Sequence, residues 1–197
     1  MSTDPGSAEP SGRPQTTFIS FSAEINANTT ESLIATCTNL ANQGTRDVCL
    51  LLSTPGGNVM NGINLYNVLR ALPFRLTTHN VGNVDSIGNA VFLAGDERYA
   101  CPHSTFMFHG VGFDIPAAQR LDQKPLKELL ASVEADQRRI GAIIEERTTL
   151  RSELVAQLFL EAQTKDAAYA VGNRIVHDVR DVNIPAGSPV ISLVFRR

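Results

Sequence analysis

The stretch Val81–Gly95, "VGNVDSIGNAVFLAG", decides how this chain is read. Glycines stand at 82, 88 and 95, an apolar run covers Ala90 to Ala94, and Ser86 sits where the polar part meets the apolar part. A hydroxyl at that junction has two readings. Serine is a common helix cap. Alternatively, it is a nucleophile set beside the outward N–H groups of a helix's first turn, which favour developing negative charge.

Outward from this stretch the chain alternates between strand and helix patterns. "TFISFSAEI" (17–25) alternates like a strand. In the next segment Leu33, Ile34, Cys37, Leu40 and Ala41 recur at helical spacing. Glu31 falls in the expected first turn of that helix, and Gly44 is placed to end it. "VCLLLST" (48–54) is a continuous apolar run, as in a strand covered on both faces. "NVMNGINLYNVLRALP" reads as a helix stopped at Pro73, and "FRLTTHNV" (74–81) as a further strand leading into the Ser86 stretch. Beyond it, "ERYACP" and "STFMFHG" read as short strands. A long helix is expected over 120–147, with Leu126, Leu129, Leu130, Val133, Ile140, Ile143 and Ile144 on one face and a break at Asp136–Arg139. "SELVAQLFLEA" and "KDAAYAVGN" read as helices, "RIVHDV" and "PVISLVF" as closing strands. The pattern is α/β with parallel strands.

The 197 residues, 43% hydrophobic and 19% charged, suit one domain with a sizeable core. The net charge is −3 and no basic stripe interleaves with aromatics, which argues against nucleic-acid binding. No apolar run approaches the roughly 18 residues of a membrane span. The first residues lack both the basic start and the apolar core of a secretory signal, so residues 1–16 are expected to be a tail and 17–197 the domain. Three cysteines without CxxC spacing argue against a disulfide framework. Cys37 and Cys49 fall in apolar runs, whereas Cys101, near His103, leaves a Cys/His site open. Histidines 79, 103, 109 and 177 show no metal-binding spacing, and the absence of a P-loop or GxGxxG leaves no cue for a nucleotide cofactor.

Three pieces carry chemistry. "STPGGNV" (Ser53–Val59) places two glycines after a buried strand, where backbone N–H groups can be exposed. Ser86 precedes a helix. His109 ends a short strand, a rigid place from which to hold a base. In this order the pieces resemble the Clp-type serine peptidases, the ClpP family within the ClpP/crotonase superfamily. That family has Ser-Pro-Gly-Gly and a hydrophobic residue where this chain has Thr54-Pro55-Gly56-Gly57-Asn58-Val59. Its nucleophile motif matches Gly82, Ser86, Ile87, Gly88 and Ala94-Gly95, and its histidine strand matches Phe106-Met107-Phe108-His109.

The resemblance implies a ClpP/crotonase-like repeated β-β-α spiral with a long protruding helix, in a single domain. It assigns Ser86 as nucleophile and His109 as base, with the N–H groups of Gly57 and Ile87 as oxyanion hole. Gly56, Val59 and the chain up to Phe113 would pair with an extended peptide or unfolded-protein substrate, and no metal or nucleotide is needed for the chemistry. It further implies a cytoplasmic homo-oligomeric ring and leaves room for an ATP-driven unfoldase as partner. The match departs at the family's aspartate, whose place falls near Gln157–Leu160; Glu161 is the nearest carboxylate and stands as the third member, with Asp166 next. Asp85 stands where the family has a small neutral residue, and Gly110-Val111 where it has Gln-Pro. A catalytically weakened scaffold subunit is the alternative. A crotonase-like acyl-CoA enzyme is a third reading, disfavoured because it needs neither Ser86 nor His109.

Overall fold

The structure is a computed structural model and describes residues 15–112 and 121–195. Most of the expected tail and Phe113 lie outside these residues. Gln15 already bonds the Gly187 carbonyl at 2.7 Å and so belongs with the folded chain.

Five parallel strands make the frame: β1 (Thr17–Ser22), β2 (Asp47–Thr54), β3 (Arg75–Asp85), β4 (Glu97–Ala100) and β5 (Thr105–Met107). The helices α1 (Ala27–Asn42), α2 (Val59–Ala71) and α3 (Gly88–Phe92) connect them. After α4 (Gln123–Arg147) and α5 (Ser152–Glu161) come β6 (Thr164–Asp166), α6 (Ala167–Gly172), β7 (Asp178–Val179) and β8 (Val190–Leu193). The sheet runs β6-β5-β3-β2-β1-β8, with β4 pairing β3 and β7 off this path. Among the described residues no helix is long and apolar enough to cross a membrane.

Strand β2 is buried on both faces, as its unbroken apolar run requires. Leu50 and Leu52 join the main core with Ile19, Phe21, Leu76 and Val84. Cys49 and Leu51 point the other way, into a smaller cluster with Phe18 that Val81 and Val182 cover. Cys37 and Cys49 are core residues, as expected.

Two differences from the sequence reading matter for the site. First, the strand expected at 74–81 continues to Asp85 and forks. Its Thr77–Asn80 half pairs with β4, and its Asn83–Asp85 half pairs with β5. At the fork the Asn80 side chain accepts from Gly82 N–H and donates to the Thr105 carbonyl, filling bonds the ladder leaves open. A register shift in β2 between Leu52 and Thr54 accompanies it. Second, α3 is only five residues long. Its Phe92 carbonyl accepts from Thr78 Oγ1 at 2.8 Å, and the chain turns there.

Helix α1 starts earlier than the pattern suggested. Asn26 caps it and Thr29 completes a capping box, which places Glu31 beyond the first turn. Helix α4 has two halves. Ile140, Ile143 and Ile144 are buried, whereas Leu126 and Leu130 are about half exposed. The break at Asp136–Arg139 marks where the helix leaves the core.

Candidate active site

The forked end of β3 delivers Ser86 into a sharp turn. Ser86 has φ 56°, the left-handed region that a non-glycine residue seldom occupies. Ser86 N–H donates to the Met107 carbonyl at 2.8 Å, fixing the turn against the end of β5. Asn89, buried in α3, donates through its side chain to the carbonyls of Ser86 and Met107. Sequence reasoning missed Asn89. Its signal was an amide directly before the apolar run Ala90–Ala94.

The capping reading of Ser86 does not hold, because α3 has no side-chain cap bond. Asp85 does not cap it either; its carboxylate accepts from Asn83 Nδ2 at 2.6 Å. A left-handed serine raised on a strand-to-helix turn is the geometry that exposes a nucleophilic hydroxyl.

Gly56 makes room for this turn. With φ 89°, its position would bring a Cβ within 2.7 Å of both the Ser86 Cβ and the Asp85 carbonyl oxygen. Gly57 has φ 143° and bridges to Ile25, which accepts from Asn58 N–H and donates to the Gly56 carbonyl. These bonds leave the Gly57 N–H without an acceptor among the described residues, and the Ile87 N–H likewise has none.

Ser86, His109, Gly57, Ile87 and Val59 all line one cavity of about 190 Å³, closed beneath by Phe108, Ile140, Ile144 and Phe159. His109 stands two residues past β5. Its Nδ1 is 2.7 Å from the Gly110 carbonyl oxygen. A carbonyl only accepts, so Nδ1 carries the proton and Nε2 keeps the free lone pair in the neutral ring. Gly110 is held in turn by its N–H, which donates to the Phe159 carbonyl at 2.9 Å. No hydrogen bond joins Ser86 Oγ to the imidazole in this conformation.

Glu161 is not among the residues lining this cavity. It is exposed at the end of α5, where it accepts from Gln157 Nε2 at 2.6 Å. Asp166 caps α6 through Tyr169 N–H. Cys101 Sγ lies 3.6 Å from His79 Nε2, which also contacts the Arg180 carbonyl at 3.0 Å. A larger groove of about 750 Å³ runs between α4 and α5, and its walls carry Ser152 and three carboxylate or amide side chains without a histidine. Among the described residues, the smaller cavity brings a serine and a histidine together.

Residues 14–179 match the family model for Clp protease. The ATP-dependent Clp protease proteolytic subunit 1 of Corynebacterium jeikeium is 36% identical over 78 residues, 36% of this chain and 42% of that protein. The proteolytic subunit 2 of Mycolicibacterium paratuberculosis is 30% identical over 95 residues, 47% of this chain and 48% of that protein. Either alignment spans less than half the relative's length. A solved mutant of ClpP1 from Listeria monocytogenes superposes with a TM-score of 0.74 at 18% identity, covering 84% of this chain and 91% of that one.

Proposed function

Because the chain belongs to the Clp protease family, we propose that it is a serine endopeptidase of the proteolytic-subunit type, acting on peptides or unfolded proteins. Ser86 is the nucleophile and His109 the base that takes its proton and returns it to the leaving amine. General-base assistance of this kind contributes about 10²–10⁴-fold. The Gly57 and Ile87 N–H groups receive the oxyanion, each such donor contributing about 2.7–4 kcal/mol in the transition state. The single observation that carries the reading is the shared cavity. A left-handed serine, an imidazole and two N–H groups without acceptors line one space.

The group at Nδ1 is the Gly110 carbonyl. In this reading it selects the tautomer whose Nε2 can accept the serine proton, the task a carboxylate performs in a Ser-His-Asp triad. A neutral carbonyl stabilises the imidazolium less than a carboxylate does, so a slow enzyme is expected. Gly56 and Val59 belong to the segment along which an extended substrate would pair as an added strand; the expected Phe113 contact lies outside the described residues. The exposed leucines of α4 suit contact between copies in a ring. The proposal extends to a cytoplasmic chamber served by an ATP-driven unfoldase, for which membership of the family is the support.

A fluorophosphonate probe tests this. Stoichiometric labelling at Ser86, abolished by Ser86→Ala and slowed at least 100-fold by His109→Ala, supports the peptidase. A folded, assembled protein that takes no label is a scaffold subunit, the reading favoured by the open Ser86–His109 contact. Sedimentation velocity reads the assembly, and a persistent monomer overturns the ring.

A further inference from the structure

A second cavity, of about 560 Å³, shares no lining residue with the Ser86 cavity, and three arginines converge on it. Arg98 comes from β4, Arg147 from the last turn of α4, and Arg174 from the turn after α6. His177 lies just before β7.

Arg98 is 5% exposed, and its guanidinium donates to the carbonyls of Ile175, Gly95, Arg147 and Arg174 at 2.8–3.1 Å. Arg147 donates through Nε and Nη2 to the carbonyls of Leu93 and Gly95, which leaves Nη1 without an acceptor among the described residues. The exposed Arg174 guanidinium has no hydrogen-bond or ion-pair partner among the described residues. Carbonyls solvate the cations but do not cancel their charge. Among the described residues none of the three arginines forms an ion pair. Glu146 is the one carboxylate on the wall. Burial first, and then the neighbouring Arg147 charge, push the Arg98 pKa down to about 10.

His177 adds a directed donor. Its Nδ1 accepts from Arg98 N–H at 3.0 Å, so Nε2 carries the proton of the neutral ring.

We propose that this cavity binds a multivalent oxyanion of the phosphate type, held by the free guanidinium of Arg174, Arg147 Nη1 and the Nε2–H of His177. Planar guanidinium forks match the oxygen spacing of phosphate, and charge-assisted bonds of this kind are the strong ones. A multivalent anion matches a wall on which three arginines face a single carboxylate. The anion would lock the end of α4 to the α6–β7 turn, since the Arg98 guanidinium already joins those segments through the carbonyls of Arg147, Arg174 and Ile175.

Calorimetric titration of the intact protein at constant ionic strength tests the site, with tripolyphosphate and ADP as probes. Saturable binding weakened at least tenfold by Arg174→Ala, and again by His177→Ala, supports the proposal. Arg138→Ala, on the exposed flank of α4, should leave it unchanged. Binding by tripolyphosphate alone assigns a free phosphate chain, and equal or tighter binding of ADP assigns a nucleotide-borne one. Absence of saturable binding, or equal binding by wild type and both variants, overturns the proposal. So does equal loss in the Arg138 control.

Discussion

Gly56 and Ser86 are locked together: a methyl group added at Gly56 would stand 2.7 Å from the Ser86 Cβ and 3.3 Å from its Oγ. The φ of 89° at Gly56 is itself unfavourable for any L side chain. Gly56→Ala should therefore cost about 1–3 kcal/mol in stability, by overpacking and backbone strain. It should also push Ser86 off its turn, so fluorophosphonate labelling falls at least 100-fold in protein that remains folded. A variant with wild-type labelling would show that the contact does not set the serine.

The left-handed Ser86, φ 56°, carries backbone strain. Ser86→Ala keeps the strain and Ser86→Gly relieves it, so the two inactive variants should differ in stability. Ser86→Gly is expected to be the more stable by about 1 kcal/mol. For a chain of this size that is a rise in Tm of about 2–4 °C. Calorimetry of the two, side by side, checks it; equal Tm values would mean the turn is relaxed as it stands.

Much of this frame could be read from the letters alone, because apolar periodicity records burial. The run at β2 and the helical spacing in α1 and α2 announce themselves that way. The fork of β3 does not. The expected strand ends at Val81, yet β3 continues to Asp85 because the side-chain amides of Asn80 and Asn83 complete its hydrogen bonds. Strand β6 has almost no apolar content and exists through antiparallel main-chain pairing with β5. At the site, Ser86 and His109 could be picked out by their order and their neighbours. The Gly110 carbonyl at the imidazole could not, since a main-chain oxygen is present at every residue.

That carbonyl makes a prediction about Glu161. With Nδ1 bonded to Gly110 and the Glu161 carboxylate bonded to Gln157, Glu161→Gln should change the labelling rate less than threefold. A Ser-His-Asp triad stripped of its carboxylate loses about 10⁴-fold. Measuring the labelling rate of Glu161→Gln against pH separates the two cases. A loss near that size, with a shifted pH profile, would assign the orienting role to Glu161.

The buried thiols predict how stability responds to alkali. Burial pushes the Cys37 pKa from 9.0 up to about 12, and the Cys49 pKa to about 11, the latter partly offset by the Arg180 charge. Both thiols stay protonated in the folded chain while they ionise in the unfolded one above pH 9.0. The native state then binds more protons, so stability falls as pH rises. The loss is absent below pH 9.0, runs at about 1.4 kcal/mol per pH unit for each thiol up to about pH 11, and continues for Cys37 alone to about 12. Tyr66, Tyr99 and Tyr169 are also raised, chiefly by burial, and add in the same direction at higher pH. Urea unfolding under reducing conditions at pH 8, 9 and 10.5 isolates the thiols when wild type is compared with the Cys37→Ala, Cys49→Ala double variant. The variant starts less stable, from the volume removed, but should lose less stability as pH rises. Parallel slopes would mean that these thiols ionise as readily in the folded protein as in the unfolded chain.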